Sequence, residues 1–160
     1  MKSIRLELQK IYDQFARQFF TCALAITGSR ESAEDAIHDA FCRSFRLKES
    51  PQNLKAYMFR SVRNAAIDQR RKQARIVSMS DEYIFNSSVS PQLLLEKKLS
   101  KKAVAQVLLE LSDDERETIV QHLYADLTFR EISELRDRPM GTITSWYHRG
   151  INKLRQRLEK

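Results

Sequence analysis

The sequence of 160 residues carries 28 Lys and Arg against 21 Asp and Glu, a net charge of +7, and contains 3 Gly and 3 Pro. No stretch approaches the roughly 20 apolar residues of a membrane span, and the first residues lack the apolar run of a secretory signal. A cytoplasmic protein without membrane insertion is therefore expected. The excess of positive charge favours a polyanionic partner, most often nucleic acid. Few helix breakers and little strand-like alternation predict an all-α chain.

Two helices are predicted before residue 50. Residues 4–27 carry an apolar stripe too wide for a lone surface helix, so at least two other helices must cover it, and Gly28 ends this helix. Ser29 can cap a second helix over residues 30–46, whose acids gather in the first turns and complement the helix dipole. Together with the helix that follows, they can close one core, which predicts a first domain over residues 1–75.

The third predicted helix, residues 54–75, is the most basic element and opens after a cap-like pair, Ser50-Pro51. Apolar residues recur at steps of three and four, and seven cations stand against one acid. Tyr57 and Phe59 place aromatic rings among these charges. Cations that follow phosphates and rings that stack on bases suit single-stranded nucleic acid. A solvated basic face with ordinary core aromatics is the equal alternative on this helix alone.

The second half is predicted to form a separate domain. Residues 76–90 are rich in Ser and Asn and are predicted to be a flexible linker, followed by a second domain over residues 91–160. This domain begins with a helix that runs to about Leu111. Two capping boxes, Ser112-x-x-Glu115 and Thr128-x-x-Glu131, predict the starts of two further helices.

The end of the chain has the layout of a helix-turn-helix. A short helix, a tight turn at residues 136–139 and a longer basic helix over 140–158 follow one another, and in such motifs the second helix enters the major groove. Short hydroxyl side chains near its start and cations further along suit base edges and phosphates. An amphipathic terminal helix that binds nothing is the alternative. The outward residues are Thr142, Thr144, Ser145, His148, Arg149, Asn152, Lys153 and Arg155.

No enzymatic or metal chemistry is predicted. Cys22 and Cys42 form no CxxC motif, and reduced, buried thiols are expected. His38 and Cys42 lie four residues apart on one predicted helix and Cys22 could lie nearby, but a zinc site usually fills four positions, so neither a metal nor a cofactor is predicted. The chain also lacks a Ser/His/Asp set and a phosphate-binding Gly loop.

Several motifs, in order along the chain, resemble the extracytoplasmic-function (ECF) group of bacterial sigma factors. AEDAI at residues 33–37, with Phe41, is similar to the family's AED-containing helix, and residues 54–71 resemble its basic helix. Residues 108–116 resemble the opening of its second domain, and residues 131–145 its helix-turn-helix. The resemblance implies two small all-α domains, a region 2-like bundle and a region 4-like helix-turn-helix, joined by a flexible linker.

The resemblance also implies a function and partners. An ECF sigma factor is a non-catalytic subunit that directs RNA polymerase core to specific promoters and melts the minus-ten element. Its partners are the beta and beta-prime subunits of the core, promoter DNA, and commonly an anti-sigma protein clamped on both domains. A cytoplasmic, nucleoid-associated protein is therefore expected.

The motif positions imply three groups of binding residues. The AED helix would dock a coiled coil of the polymerase clamp through Glu34, Asp35, Ile37, His38, Asp39 and Phe41. The loop at 47–53 and the basic helix would bind the minus-ten element through Lys48, Asn53, Lys55, Tyr57, Arg60, Arg63, Asn64, Arg70 and Arg71. The second domain would bind the minus-thirty-five element through Arg138, Thr142, Thr144, Ser145, Trp146, His148, Arg149 and Lys153.

At two places the sequence differs from the family pattern in the residues expected to contact the minus-thirty-five element. Thr144 and Trp146 stand where the family often has cations, and Asp137-Arg138 replaces a Gly or small apolar residue in the turn. Each lost phosphate contact should lower the salt dependence of binding by about one unit. Trp146 is expected either to pack or to touch a thymine methyl. The alternative function is a stand-alone helix-turn-helix regulator that does not bind core polymerase, which leaves the basic helix of the first half unexplained.

Overall fold

Seven α-helices make up most of residues 3–73 and 101–159, which are the residues that the computed structural model describes. No strand occurs in these two stretches, so the all-helical prediction is confirmed. The chain divides into two compact units. The predicted linker at 76–90 and the predicted start of the next helix lie outside the described residues, so the exact domain limits stay predictions.

The first unit is a bundle of α1 (Ile4–Thr27), α2 (Arg30–Ser44) and α3 (Leu54–Lys72), each packed against the other two. Gly28 ends α1 in the left-handed conformation, φ 68°, which glycine adopts without steric cost. The Ser29 hydroxyl then caps α2 by accepting a hydrogen bond from the Ser32 N–H. Both helix ends agree with the sequence-based expectation.

The cap of α3 differs from the prediction. Asn53, not Ser50, precedes the first helical residue, and its side-chain oxygen accepts from the Ala56 N–H at 3.0 Å. Ser50 lies in the preceding loop, where its hydroxyl donates to a Glu7 carboxylate oxygen of α1 at 2.7 Å. An Asn next to the first turn reaches the free amides better than a Ser three residues earlier, which explains the difference.

The core of the first unit is aromatic. Phe19 is fully buried, and its ring centroid lies 4.5 Å from that of Phe59 and 5.7 Å from that of Phe41. Of the two alternatives for Phe59, the structure therefore supports the ordinary core aromatic and not a ring among the cations for base stacking. Phe59 precedes Val62 and Ala66 by three and seven residues, and this spacing places it on the buried stripe of α3.

The second unit contains α4 (Lys101–Glu110), α5 (Asp113–Ile119), α6 (Phe129–Arg136) and α7 (Met140–Leu158). Both capping boxes are present with their two reciprocal hydrogen bonds, so the predicted starts of α5 and α6 are confirmed. After Ile119, α5 is continued by a π-helical turn, Val120–Tyr124. In this turn the Ala125 N–H donates to the Val120 carbonyl at 3.0 Å.

The core of the second unit is built mainly from aliphatic side chains. Fully buried aliphatic side chains include those of Leu108, Ile119, Val120, Ile132, Ile143 and Leu154. Gly150 of α7 lies so close to α5 that a methyl group there would overlap Ile119 Cδ1. Among the described residues, no helix has the length and apolar character needed to cross a lipid bilayer.

Candidate protein and nucleic-acid interfaces

The acidic residues of α2 form an exposed surface on the first unit. Glu34 and Asp35 are exposed, whereas Asp39 is half-exposed. Glu34 pairs with Arg30 at 3.1 Å and Asp39 with Arg43 at 3.0 Å, both along the same helix. No cation of the described residues lies within ion-pair distance of Asp35. Exposed pairs of this kind are weak, so these carboxylates can exchange partners at little cost.

Not every residue predicted for this surface is exposed on it. His38 is exposed and Ile37 is half-buried. Phe41, however, is 8% exposed and meets the Tyr12 ring edge-on, with 5.4 Å between ring centroids. Phe41 belongs to the core, where it supports α2 from beneath.

The thiols differ from the expectation of two buried cysteines. Cys22 is buried, but Cys42 is exposed, because it lies one turn after His38 on the outer side of α2. Its sulfur is 3.5 Å from His38 Nε2. Within the described residues, no group of three or more His, Cys, Asp or Glu side chains could hold a metal ion.

The basic helix α3 carries a polar stripe opposite its buried face. Residues at steps of three, four and seven lie on one side of a helix. This rule gathers Tyr57, Arg60, Arg63, Asn64 and Arg71, of which Tyr57 and Arg63 are half-buried and the others exposed. The stripe joins cations, an amide and one aromatic ring along about four turns of the helix.

The other residues predicted for this interface lie apart from the stripe. The Lys55 ammonium is 4.9 Å from the centroid of the Phe15 ring of α1, so it lies nearer the buried side of α3. Lys48 and Asn53 are exposed in the loop and at the cap, and Arg70 is exposed beside the stripe. The structure therefore does not bring the nine residues together as one surface.

The turn between α6 and α7 is closed by its own backbone. Asp137 adopts the left-handed conformation, φ 53° and ψ 51°, which Asp tolerates better than most residues because its short side chain can bond locally. The amides of Asp137 and Arg138 both donate to the Ser133 carbonyl, and the Ser133 hydroxyl donates to the Arg138 carbonyl at 2.5 Å. Pro139 then precedes Met140, the first residue of α7, and provides no side-chain cap.

The outward face of α7 presents hydroxyls first and cations later, as predicted. Ser145, His148 and Arg149 are exposed, and Thr142 and Thr144 are half-buried. The Arg149 guanidinium donates to the Ser145 hydroxyl at 3.1 Å, one turn earlier. Arg138, in the turn, is exposed as well.

Lys153 has a partner within its own unit. Its ammonium lies 2.8 Å and 3.1 Å from the two carboxylate oxygens of Glu115, whose side chain is 4% exposed. Burial raises the pKa of Glu115, but hydrogen bonds from Lys153 and from Ser112 outweigh this effect, so the net pKa lies below the ordinary value. Lys153 thus neutralises a buried carboxylate, a role that its exposed position in the helix pattern did not predict.

Two protein-family models match the chain in order. The model described as Sigma-70 region 2 matches residues 11–76, and the model described as Sigma-70, region 4 matches residues 107–156, so that together they cover more than half of the chain. The ECF RNA polymerase sigma factor SigM of Bacillus subtilis is 26% identical over 92% of this chain and 99% of its own length. The chain belongs to the ECF sigma factors.

Two further proteins that are similar to this ECF sigma factor are also sigma factors. The ECF RNA polymerase sigma factor SigL of Mycobacterium tuberculosis is 24% identical, over 96% of this chain and 89% of its own. The sigma factor RpoE of Bartonella quintana, solved in complex with the anti-sigma factor NepR, has a TM-score of 0.71 and 26% identity, covering 99% of this chain and 98% of that one. Region 2 comprises α2, α3 and most of α1, and region 4 comprises α5, α6 and most of α7.

One ionic cluster of this ECF sigma factor was not predicted from the sequence. The sequence pattern places Arg136 in the turn, but it is the last residue of α6 and its side chain is 2% exposed. Its guanidinium lies 2.5 Å from Asp114 and 3.3 Å from Glu117, both on α5. The spacing that could have revealed it is Phe129, Ile132 and Arg136, which places the arginine on the inward face of the helix.

Proposed function

We propose that this sigma factor joins bacterial RNA polymerase core, places it on specific promoters and opens the minus-ten element. The observation that carries the proposal is the juxtaposition within region 2 of an acidic surface on α2 and a cation-rich stripe on α3. A single small domain then offers one face to a protein and another to nucleic acid. The ordered matches to both regions do not favour the stand-alone regulator.

Core binding is proposed for the outer side of α2. Glu34, Asp35, Asp39 and His38 would contact the clamp, with Ile37 as a half-buried apolar contact. Exposed carboxylates steer the approach of a basic partner and favour a defined register, while they contribute less to raw affinity. Phe41 would hold the helix in place from within the core.

Minus-ten binding is proposed for the α3 stripe and the loop before it. Arg60, Arg63 and Arg71 would follow phosphates of the displaced strand, and Tyr57 would support a base by stacking. Lys48 lies in the loop, where an extruded base would be captured. Unstacking a base costs a few kcal/mol, which stacking and backbone contacts offset. Asn64 would add an amide contact within the stripe, and Asn53, Lys55 and Arg70 would contribute at the edges of this surface.

Minus-thirty-five binding is proposed for α7. Thr142, Thr144 and Ser145 would approach base edges, and Arg138, His148 and Arg149 the phosphates.

Sigma factors initiate transcription without catalysing a reaction, so the chain is proposed to carry no chemistry of its own. It would act in the cytoplasm, at the nucleoid. A protein of the anti-sigma class is a proposed further partner, because the Bartonella quintana relative is solved with one.

A charge reversal on α2 tests the proposal. The purified chain should bind bacterial core polymerase, and Asp35→Arg should weaken binding at least tenfold, about 1.4 kcal/mol. Asp13→Arg makes the same change at an exposed helical acid of α1 and should bind like the natural chain. A well-folded chain that never binds core, or an Asp35→Arg variant that binds normally, would contradict the proposed core contact.

A further inference from the structure

Trp146 stands on the helix proposed to enter the groove, yet its indole lies over a buried cation. The Arg136 Cζ atom is 4.6 Å from the centroid of the Trp146 ring, and Trp146 is half-buried. A guanidinium over an aromatic face is attracted by the ring quadrupole, more strongly when water is excluded. One face of the indole is therefore already occupied within region 4.

The guanidinium beneath Trp146 is held by α5. Besides Asp114 and Glu117, it donates to the Thr118 hydroxyl at 2.6 Å. A buried charge is tolerated only when opposite charge and hydrogen bonds satisfy it. Arg136 thus connects three helices. It is part of α6, its ionic partners are on α5, and the Trp146 ring that lies against it is on α7.

We propose that Trp146 is a positioning residue and not a base reader. Together with Arg136 it fixes the orientation of α7 on α5 and α6, so that Thr142, Thr144 and Ser145 meet the DNA at a defined angle. This inference rests on the proposed binding of duplex DNA by α7. The inference also assigns base reading in the first turns of α7 to uncharged hydroxyl groups, because the guanidinium of Arg136 is enclosed and the indole of Trp146 carries no charge.

The test uses the holoenzyme assembled from the full chain and bacterial core. Duplexes that carry a random window in place of the minus-thirty-five element are enriched by binding, and the selected duplex is then made with each thymine replaced by deoxyuridine, which removes the C5 methyl. Affinities are measured for the natural chain, Trp146→Phe and Trp146→Ala. The melting temperature of each variant is measured in parallel.

A positioning role predicts a specific pattern. Trp146→Ala should bind the selected duplex about tenfold more weakly, equivalent to about 1.4 kcal/mol. Trp146→Phe should recover most of this loss, because a smaller ring still covers the guanidinium. Replacing thymine by deoxyuridine should change the affinity of the natural chain and of Trp146→Ala by the same factor.

Two results would overturn the inference. If the effect of deoxyuridine at one thymine vanishes in Trp146→Ala, the indole reads that methyl group directly. If Trp146→Ala binds as tightly as the natural chain, Trp146 does not position α7. Failure of a holoenzyme that retains core binding to enrich any sequence would contradict the proposed promoter contact itself, and the positioning role with it.

The link to Arg136 is tested by a double-mutant cycle. Arg136→Met and Trp146→Ala break the same contact, so their effects on duplex affinity should be clearly less than additive. Fully additive effects would show that the two residues act separately and would overturn the pairing. Should Arg136→Met fail to fold, the comparison of Trp146→Phe with Trp146→Ala still decides the role of the indole.

Discussion

Charged side chains occupy three consecutive buried positions of α5, namely Glu115, Arg116 and Glu117, and each lies beside an opposite charge. Removing one partner of such a pair leaves an uncompensated buried charge, which costs more than the intact pair contributes. The pairing of Glu115 with Lys153 is the most accessible to test, because Lys153 approaches from the solvent side.

Lys153→Met should lower the free energy of unfolding by roughly 1–2 kcal/mol at neutral pH, because Glu115 loses a charged hydrogen-bond donor. The folded-state pKa of Glu115 is lowered, so its stabilising contribution is present above the unfolded pKa and is lost as the pH falls through the folded value. The difference between variant and natural chain should therefore shrink below about pH 4. Denaturant titrations at several pH values measure it.

Arg155→Met is the matched control, since it removes an exposed cation from the same helix. It should change stability little at any pH. A deficit of Lys153→Met that is equally large at acid and neutral pH would mean that lost packing, and not the charge on Glu115, is responsible.

The two cysteines give a direct probe of the surface proposed to bind polymerase. In the free chain, a maleimide should modify Cys42, which is exposed, and leave Cys22, which is buried, unmodified under native conditions. Addition of core polymerase should slow the modification of Cys42 severalfold, because the thiol lies one turn from His38 on α2. Mass spectrometry after timed quenching measures both rates. Unchanged reactivity of Cys42 in a proven complex would place the core contact elsewhere.

Residue periodicity predicted which side of each helix is buried, but it did not predict which polar residues the core retains. The sequence pattern identifies Glu115 as the acidic residue of a capping box and places Arg136 in a turn, and neither position indicates burial. Both are buried because α7 and α5 each supply the opposite charge, and such partners come from distant parts of the sequence. Local pattern contains no information about them.

At the scale of elements, the most accurate predictions were those of helix starts that have a local chemical signal. The limits of α1 and α7, and both capping boxes of region 4, agree with the prediction. The π-helical turn was not predicted, since its extra residue has no local signal comparable with a cap or a glycine. The predicted cap of α3 lies three residues too early, because Ser-Pro is a common helix opening but Asn53 is the nearer acceptor.

The two helical glycines of α7 should respond to alanine in opposite directions. At Gly150, a methyl group would overlap Ile119 Cδ1 and lie 3.3 Å from its Cγ1, and Ile119 is fully buried. Overpacking of this kind costs about 1–3 kcal/mol, more than the gain of up to about 1 kcal/mol in helix propensity. Gly150→Ala should therefore lower the melting temperature.

Gly141→Ala is the counterpart, because nothing lies within 4 Å of a methyl group added there. It should raise stability by up to about 1 kcal/mol. Thermal unfolding followed by circular dichroism compares the two variants under one set of conditions. A stabilising effect of Gly150→Ala would mean that Ile119 moves aside more easily than its burial indicates.

At the scale of the whole molecule, the net charge of +7 raises the question of which cations open the promoter. If the α3 stripe opens the promoter, then Arg63→Ala combined with Arg71→Ala should abolish opening and leave core binding intact, because neither residue belongs to the α2 surface. Permanganate reactivity of unpaired thymines measures opening, and co-elution with core measures binding.

Arg5→Ala combined with Arg17→Ala is the control for this experiment. It removes the same charge from exposed positions of α1 in the same unit and should leave opening largely unchanged. Loss of core binding along with opening in the α3 variant would indicate a folding defect. Equal loss of opening in both variants would indicate that total charge, and not the stripe, is responsible.

The position of Trp146 also provides an intrinsic fluorescence probe of the second unit. It is the one tryptophan of the sequence, and it rests on a guanidinium in the second unit. Emission excited near the red edge of protein absorbance therefore comes from α7 alone, whereas far-ultraviolet ellipticity follows the helices of both units. Comparing the two signals in one denaturant series distinguishes the unfolding of region 4 from that of the whole chain.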